Sequence, residues 1–281
     1  MPPIPFDRRV TPARSDLAAA HLRGLVEAPR YLEGLARRVA AASAPLRRAP
    51  HAHAPLETEV LHGESVTVYE ENEGWAWVQL DRDQYVGYLP SETLAAPSEP
   101  THRVAALRTH AYPGPSIKLP PRMALSLGAR LTIVGREGDF AVSADGLHVW
   151  LRRLDEIGSR EPDYVAVAER FLEAPYLWGG RTSEGIDCSG LVQTALAAAG
   201  REAPRDSDLQ EAALGAPLAI DDPKMRGDLV FWKGHVGIMR DPVTLLHANG
   251  WHMRVVSEPL AEASDRIAAG GGGPVTSVRR S

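Results

Sequence analysis

The amino-acid sequence predicts an α+β fold in which small β modules precede a domain of helices followed by a sheet. Residues 56–94 alternate apolar and polar side chains between glycine-containing turns, a pattern typical of short antiparallel strands. A similar passage recurs before residue 158. Residues 162–175 and 188–200 then have helical spacing, and four strand-like runs follow them, so helices and strands are segregated along the chain.

The composition narrows the classes of protein to which the chain belongs. Its 281 residues are 44% hydrophobic and 24% charged, as in ordinary globular proteins. The formal net charge of -5 argues against a nucleic-acid partner, which would require a basic surface. No segment is apolar enough to span a membrane, and the N-terminus lacks the pattern of a secretory signal. We therefore expect a cytoplasmic location.

The N-terminal residues 1–44 are predicted to form a helical arm. Their Ala/Leu/Arg-rich stretch has Ser15 placed to cap a helix over residues 17–26. Pro29 would end this helix, and a second short helix would follow. We expect the arm to pack on a later domain.

Two divergent copies of one β unit are predicted at residues 45–97 and 98–158. Gly63 ahead of Val66 in the first copy corresponds to Gly128 ahead of Leu131 in the second. The linkers "AAPSEP" and "GSREP" follow the first and second copies. The strands are short and separated by turns, so we predict two small barrels.

The single cysteine of the chain, Cys188, opens a predicted helix in the domain at 159–281. One cysteine excludes an intramolecular disulfide. In the first turn of a helix, unpaired N–H groups and the macrodipole favour a thiolate, so we expect a lowered thiol pKa. Gly190 allows another backbone or a substrate to approach this turn closely. The alternative is a buried structural cysteine.

Three histidines follow Cys188: His235, His247 and His252. His235 opens one predicted strand and His247 ends the next, so the two would meet at one edge of the sheet. A thiol, a base and a group that orients the base are the components of nucleophilic catalysis. A zinc site is the alternative, but no pair of these residues has the Cys-x-x-Cys or His-x-x-x-His spacing, and no Asp or Glu is clustered with them. We therefore predict no metal and no cofactor.

Several of these motifs, in this order, resemble the NlpC/p60 cysteine peptidases. They are "YLWGGRTSEGIDCSGLVQ", "APRDSDLQ", "GDLVFWKGHVGIM" and "LLHANG". The resemblance covers about residues 163–260 and implies a papain-like fold with rearranged chain order. The two preceding β copies resemble the bacterial SH3-like modules that accompany such domains.

The resemblance implies a catalytic role for each matching residue. Cys188 would be the nucleophile, His235 the general base and acid, and His247 the residue that orients His235. The Tyr176 hydroxyl and the Cys188 backbone N–H would stabilise the oxyanion. The alternative for Tyr176 is core packing.

The resemblance also implies a substrate-binding set: Asp187 and Ser189 around the free amine of the substrate, with Trp178 nearby. Glu64 and Tyr85 of the first β copy would close this pocket, with Tyr88 as a substitute for Tyr85. The alternatives are a helix cap for Asp187, a local hydrogen bond for Ser189, a solvated Glu64, and core packing for Trp178 and Tyr85.

The activity that the resemblance implies is hydrolysis of the amide between γ-D-glutamate and a diamino acid. The substrate would be a murein peptide with free N-terminal L-alanine, cleaved during cell-wall recycling. Two alternatives remain open: a transacylase on the same fold, and a non-catalytic protein that binds cell wall through its SH3-like modules.

Overall fold

The computed structural model describes residues 6–280, and the chain forms two compact units. The first unit contains the described residues up to Val104 together with Thr109–Ile157. The second contains Ala105–Arg108 and the described residues from Gly158 onwards. The boundary at Gly158 coincides with the start of the predicted linker "GSREP".

The first unit is built from strands, with short 3-10 turns at Ala20–Leu22, Ser91–Thr93 and Leu151–Arg153. The strands are β1 (Ala13–Arg14), β2 (Leu17–Ala19), β3 (Arg30–Leu32), β4 (Leu35–Val39), β5 (Ser43–Arg47), β6 (Leu56–Leu61), β7 (Ser65–Asn72), β8 (Trp75–Leu80), β9 (Val86–Pro90), β10 (Leu94–Ala95), β11 (His102–Val104), β12 (Arg108–Tyr112), β13 (Met123–Ser126), β14 (Arg130–Leu131), β15 (Ile133–Glu137), β16 (Phe140–Ser143), β17 (His148–Trp150) and β18 (Leu154–Glu156).

The helix expected over residues 17–26 is wrong, because this stretch begins with strand β2 in a sheet of order β1-β2-β3. Leu17 is fully buried and belongs to an apolar cluster with Tyr69 and Trp77. Helix propensity differs by only a few tenths of a kcal/mol per residue among most residue types. Burial of an aliphatic side chain against aromatic rings outweighs that preference.

The remainder of the predicted arm is also not helical, because it supplies strands β4 and β5 to the first SH3-like copy. The sheet has the order β10-β4-β7-β8-β9-β5-β6. Leu35 of β4 pairs with Val68 of β7, and Ser43 of β5 pairs with Leu61 of β6. The apolar side chains of these strands enclose one core. Each sheet has to bury its apolar face, and this core does so for the first copy.

The two SH3-like copies share a succession of elements. In the first, the hairpin β7–β8 turns at Gly74 and leads to β9, a 3-10 turn and β10. In the second, β15–β16 turns at Gly138 and leads to β17, a 3-10 turn and β18. The second copy has sheets of order β14-β11-β18 and β13-β12-β17-β16-β15. The edge strands of these sheets do not pair with one another within residues 6–280, so the predicted closed barrels are wrong.

The second unit has helices first and an antiparallel sheet of order β21-β26-β22-β23-β24-β25 after them, as the sequence predicts. No helix within residues 6–280 is long and apolar enough to cross a membrane. The elements are α1 (Tyr164–Glu169), β19 (Arg181–Thr182), β20 (Gly185–Ile186), α2 (Cys188–Ala198), α3 (Ser207–Ala213), β21 (Ala216–Leu218), β22 (Asp228–Trp232), β23 (His235–Met239), β24 (Thr244–Asn249), β25 (Arg254–Pro259), α4 (Leu260–Ala269) and β26 (Ser277–Arg280).

Helix α2 is the buried helix of this unit and packs on β23 and β24. Asp187 is its N-cap, and the carboxylate accepts a hydrogen bond of 2.7 Å from the Gly190 N–H. A Cβ atom at position 190 would lie 2.4 Å from the Gly180 carbonyl oxygen. The close approach predicted for Gly190 is therefore confirmed, and the approaching group is the backbone of Gly180.

The buried position of Leu17 predicts a large effect of truncation. We expect Leu17→Ala to lower the free energy of unfolding by about 2–5 kcal/mol, the usual cost of a cavity in a core. The measurement is urea unfolding followed by tryptophan fluorescence. The control is Leu25→Ala, since Leu25 lies in the same N-terminal stretch with 62% of its side chain exposed. Equal effects of the two substitutions would contradict the role assigned to the strand.

Candidate active site

Cys188 is the first residue of α2, and its side chain is buried with 8% exposure. The backbone N–H groups of Ser189 and Val236 face its sulfur and act to lower the pKa of the thiol. Val236 directly follows His235 on β23, so the sulfur lies beside the strand that carries the predicted base. The helix start and the strand start thus bring together two residues that are far apart in the sequence.

The imidazole rings of His235 and His247 are hydrogen-bonded to each other. Ile238 of β23 pairs with Leu246 of β24, so His235 and His247 lie on one face, two positions from direct opposition. Nε2 of His235 is 2.7 Å from Nδ1 of His247. Nδ1 of His235 has no hydrogen-bond partner among residues 6–280, so this nitrogen remains available to the thiol.

Burial disfavours the charged form of both reacting groups. Burial, assisted by the carboxylate of Asp187, raises the pKa of the Cys188 thiol to about 12. Burial, assisted by His247, lowers the pKa of His235 to about 3. The helix start therefore does not lower the thiol pKa as expected, because the loss of water outweighs the macrodipole. A thiolate and an imidazolium formed together stabilise each other, so one proton transfer activates the site.

Tyr176 lies beside the segment that leads into Cys188. Tyr176 forms a parallel bridge with Ile186, two residues before Cys188, which places its backbone beside the start of α2. Burial raises the pKa of the Tyr176 hydroxyl, and the charges of Cys188 and Asp187 act in the same direction. The phenol is therefore a neutral donor. Trp178, two residues further on, is 66% exposed, which rules out core packing for its side chain.

Asp187 forms a buried ion pair with Arg205, whose two terminal nitrogens lie 3.0 and 2.7 Å from its oxygens. The carboxylate also accepts from the N–H groups of Gly179 and Gly190 and from the Ser189 hydroxyl. These bonds occupy the roughly four lone-pair sites of a carboxylate. The capping predicted as the alternative for Asp187, and the local hydrogen bond of Ser189, are therefore both present.

Comparison with known families identifies two parts of the chain. Residues 46–94 match the bacterial dipeptidyl-peptidase SH3 domain, and residues 173–265 match the NlpC/P60 family. A relative from Bacillus subtilis, gamma-D-glutamyl-L-lysine dipeptidyl-peptidase, is 32% identical over 218 residues, covering 69% of this chain and 72% of that protein. The chain belongs to the NlpC/P60 family. It is a cysteine peptidase.

Other similarities of this NlpC/P60 peptidase extend over most of its length. Dipeptidyl-peptidase 6 of Lysinibacillus sphaericus is 27% identical over 237 residues, which cover 75% of this chain and 86% of that protein. The crystal structure of an NlpC/P60 family protein from Bacillus cereus has a TM-score of 0.74 at 21% identity. It covers 88% of this chain and 99% of the other, so the two proteins share the fold.

The two residues predicted to close the substrate pocket of the NlpC/P60 domain lie in the first unit. Glu64 is 5% exposed and accepts a hydrogen bond of 2.8 Å from the Leu61 N–H, which rules out a solvated side chain. Tyr85 is 2% exposed and belongs to the core of the first SH3-like copy. Its hydroxyl donates to Glu57 at 3.4 Å. Pocket closure by Glu64 and Tyr85 remains a prediction.

The structure adds residues to the NlpC/P60 site that the sequence analysis did not assign. Oε1 of Glu258 lies 2.7 Å from Nε2 of His247, and Arg266 forms two hydrogen bonds with the same carboxylate. The available signal was a charged residue within the apolar run "RVVSEPL" of a predicted strand. Arg205 stood in the family-like motif "PRDSDLQ", and its contact with Asp187 required the tertiary structure.

The buried Arg205–Asp187 pair of the NlpC/P60 domain predicts a large loss of stability on truncation. We expect Arg205→Ala to lower the free energy of unfolding by about 3–5 kcal/mol, because the Asp187 charge would remain buried and unpaired. The measurement is chemical unfolding monitored by circular dichroism. The control is Arg254→Ala, which removes a solvent-exposed pair with Glu173 and should cost about 0–1 kcal/mol. A similar cost for both substitutions would contradict the importance given to the buried pair.

Proposed function

We propose that this peptidase hydrolyses the amide bond between γ-D-glutamate and a diamino acid in murein peptides that have a free N-terminal L-alanine. The observation that carries the proposal is the arrangement of Cys188 at a helix start beside the hydrogen-bonded rings of His235 and His247. Two relatives named gamma-D-glutamyl-L-lysine dipeptidyl-peptidase, from Bacillus subtilis and Bacillus cereus, support the choice of bond.

The first half-reaction forms an acyl-enzyme. Nδ1 of His235 accepts the Cys188 thiol proton as the sulfur attacks the carbonyl carbon of the substrate. The charge that develops on the carbonyl oxygen is stabilised by the Cys188 backbone N–H and the Tyr176 hydroxyl. The imidazolium of His235 then donates its proton to the leaving nitrogen, the C–N bond breaks, and the diamino acid departs as an amine.

The second half-reaction returns the enzyme to its starting state. His235 accepts a proton from a water molecule, and the resulting hydroxide attacks the thioester carbonyl. The C–S bond breaks and the sulfur regains a proton from His235, while the dipeptide leaves as a carboxylic acid that releases its proton to solvent. His247 keeps the ring of His235 oriented through the 2.7 Å hydrogen bond in both half-reactions.

The free amine of the substrate is the finer part of the proposal. The word dipeptidyl in the relatives' names describes release of two residues from a chain end, which favours a substrate with a free amino terminus. Arg205 neutralises the Asp187 carboxylate, so this carboxylate carries no uncompensated charge for the ammonium group of the substrate. We therefore assign Asp187 and Ser189 to the wall of the amine pocket.

We further propose that the enzyme acts in the cytoplasm on peptides released during cell-wall turnover. A preference for short peptides with a free amine would favour such released fragments over a substrate whose amine is blocked.

The proposed nucleophile makes a direct prediction. Cys188→Ala should lower turnover of L-Ala-γ-D-Glu-diamino acid tripeptide by at least about 10³-fold, because no other group in the site can form the acyl-enzyme. Mass spectrometry of the products measures the loss, and circular dichroism shows that the variant is folded. Free dipeptide is the expected wild-type product. A new amide with an added amine would instead identify a transacylase, and cleavage by the alanine variant would refute the mechanism.

The proposed amine pocket predicts selectivity between two forms of one substrate. The free tripeptide should be cleaved with a kcat/KM roughly 10²-fold higher than that of its N-acetyl derivative, because acetylation removes the charge and the donors of the amine that the pocket is proposed to recognise. The two substrates are compared at equal concentration with the same enzyme preparation. Equal kcat/KM values for the two substrates would contradict recognition of the free amino terminus.

A further inference from the structure

Glu258 is a partly buried acid, with 12% of its side chain exposed, and it has no role in the proposed reaction. It lies on β25 next to β24, where His247 pairs with Val256, so Glu258 and His247 share a face. Oε1 of Glu258 is 2.7 Å from Nε2 of His247. Arg266 of α4 donates hydrogen bonds of 2.7 Å to Oε2 and 2.5 Å to Oε1 of Glu258, so Arg266 and His247 share Oε1.

The carboxylate of Glu258 is ionised. Burial alone would raise the pKa of Glu258, but the hydrogen bonds from His247 and Arg266 lower it to about 2. An ionised carboxylate accepts hydrogen bonds and donates none. The nitrogen of His247 that faces it must therefore carry a proton. The Asn249 amide nitrogen lies 3.0 Å from the same ring nitrogen, but this donor cannot satisfy an N–H, so the Glu258 contact decides the tautomer.

The proton on Nε2 of His247 determines the state of the second ring. A neutral imidazole carries one proton, so Nδ1 of His247 is an acceptor. The 2.7 Å contact between Nδ1 of His247 and Nε2 of His235 then requires the proton to be on Nε2 of His235. Nδ1 of His235, the nitrogen left for the thiol, carries a lone pair. This is the tautomer that can act as the base.

We propose that Glu258 is a positioning residue that sets the tautomers of His247 and His235, and that Arg266 limits how strongly Glu258 raises the basicity of His235. The proposal rests on the roles proposed above for Cys188 and His235. Through two successive imidazoles, an acid that does not touch substrate selects the nitrogen that accepts the thiol proton.

The charges around Glu258 have opposing effects on the two imidazoles. His235 and His247 face it from β23 and β24, and His252 of the following turn lies 4.0 Å away. From α4, Arg266 pairs with Glu258, and Glu262 interacts with Arg266. The negative charge of Glu258 raises the pKa of His235, whereas the positive charge of Arg266 lowers it. The two members of the pair should therefore shift the acid limb of activity in opposite directions.

The first test is Glu258→Gln in the full chain, assayed with the murein tripeptide. Glutamine keeps the size of the side chain but can turn its NH₂ group towards His247, which permits the wrong tautomer. We expect kcat to fall roughly 10²-fold, with KM changed by less than about twofold because no substrate contact is removed. The acid limb of kcat/KM should move to lower pH, since loss of the negative charge lowers the imidazole pKa. Glu258→Asp should recover much of kcat, because it restores an acceptor-only group.

The second test is Arg266→Gln, which removes the cation and leaves Glu258 in place. The acid limb should move to higher pH, because the imidazole loses a repelling positive charge. The pH dependence of Cys188 alkylation by iodoacetamide provides the same readout without turnover, and applies if a variant is poorly active. If Glu258→Gln fails to fold, Glu258→Asp and Arg266→Gln provide the comparison.

The outcomes separate this inference from the proposed function. If Glu258→Gln and Arg266→Gln moved the acid limb of kcat/KM in the same direction, the pair would serve stability alone and the inference would be overturned. Unchanged kcat and an unchanged pH profile in Glu258→Gln, with Cys188→Ala inactive, would also overturn it while leaving the peptidase intact. Full activity in Cys188→Ala would instead remove the proposed function.

Discussion

The ion pair between Asp187 and Arg205 is the interaction on which the arrangement of the active site depends. The carboxylate caps α2 through Gly190 and holds the turn at Gly179, while Arg205 compensates its charge in the interior. Since Cys188 directly follows Asp187, the same contacts determine where the sulfur lies. A buried carboxylate with every lone pair occupied has one favourable position, so the backbone that carries Cys188 is held rigidly.

The buried site keeps its reacting groups neutral until they are used. Burial raises the pKa of Cys188 and lowers that of His235, so each group taken alone resists ionisation. In the proposed mechanism, proton transfer from Cys188 to His235 creates both charges at once, and their mutual attraction offsets much of the cost of burying them. Glu258 then adds a fixed negative charge beyond His247, at the distant end of the line of hydrogen bonds. The protein thus places compensating charges before any substrate arrives.

Local sequence patterns predicted much of the second unit. The helix at Cys188 has apolar residues at helical spacing, a capping Asp187 and a terminating Gly200, so every local signal favours one structure. The meeting of His235 with His247 followed from two short strands joined by a tight turn, since adjacent antiparallel strands leave few registers. The main wrong prediction, the N-terminal helix, has a different cause. Residues 17–19 favour a helix locally, but packing against aromatic rings distant in sequence buries them as a strand.

Residue types and their short-range spacing determined the elements of the second unit and pointed to the proposed catalytic residues, because capping, periodicity and strand alternation act over a few residues. Only the tertiary structure decided that Arg205 pairs with Asp187 and that Glu258 faces His247. The protonation of the site was decided in the same way, because a pKa depends on how much water packing removes. Such contacts join residues separated by whole elements, and no local pattern encodes which charges the interior brings together.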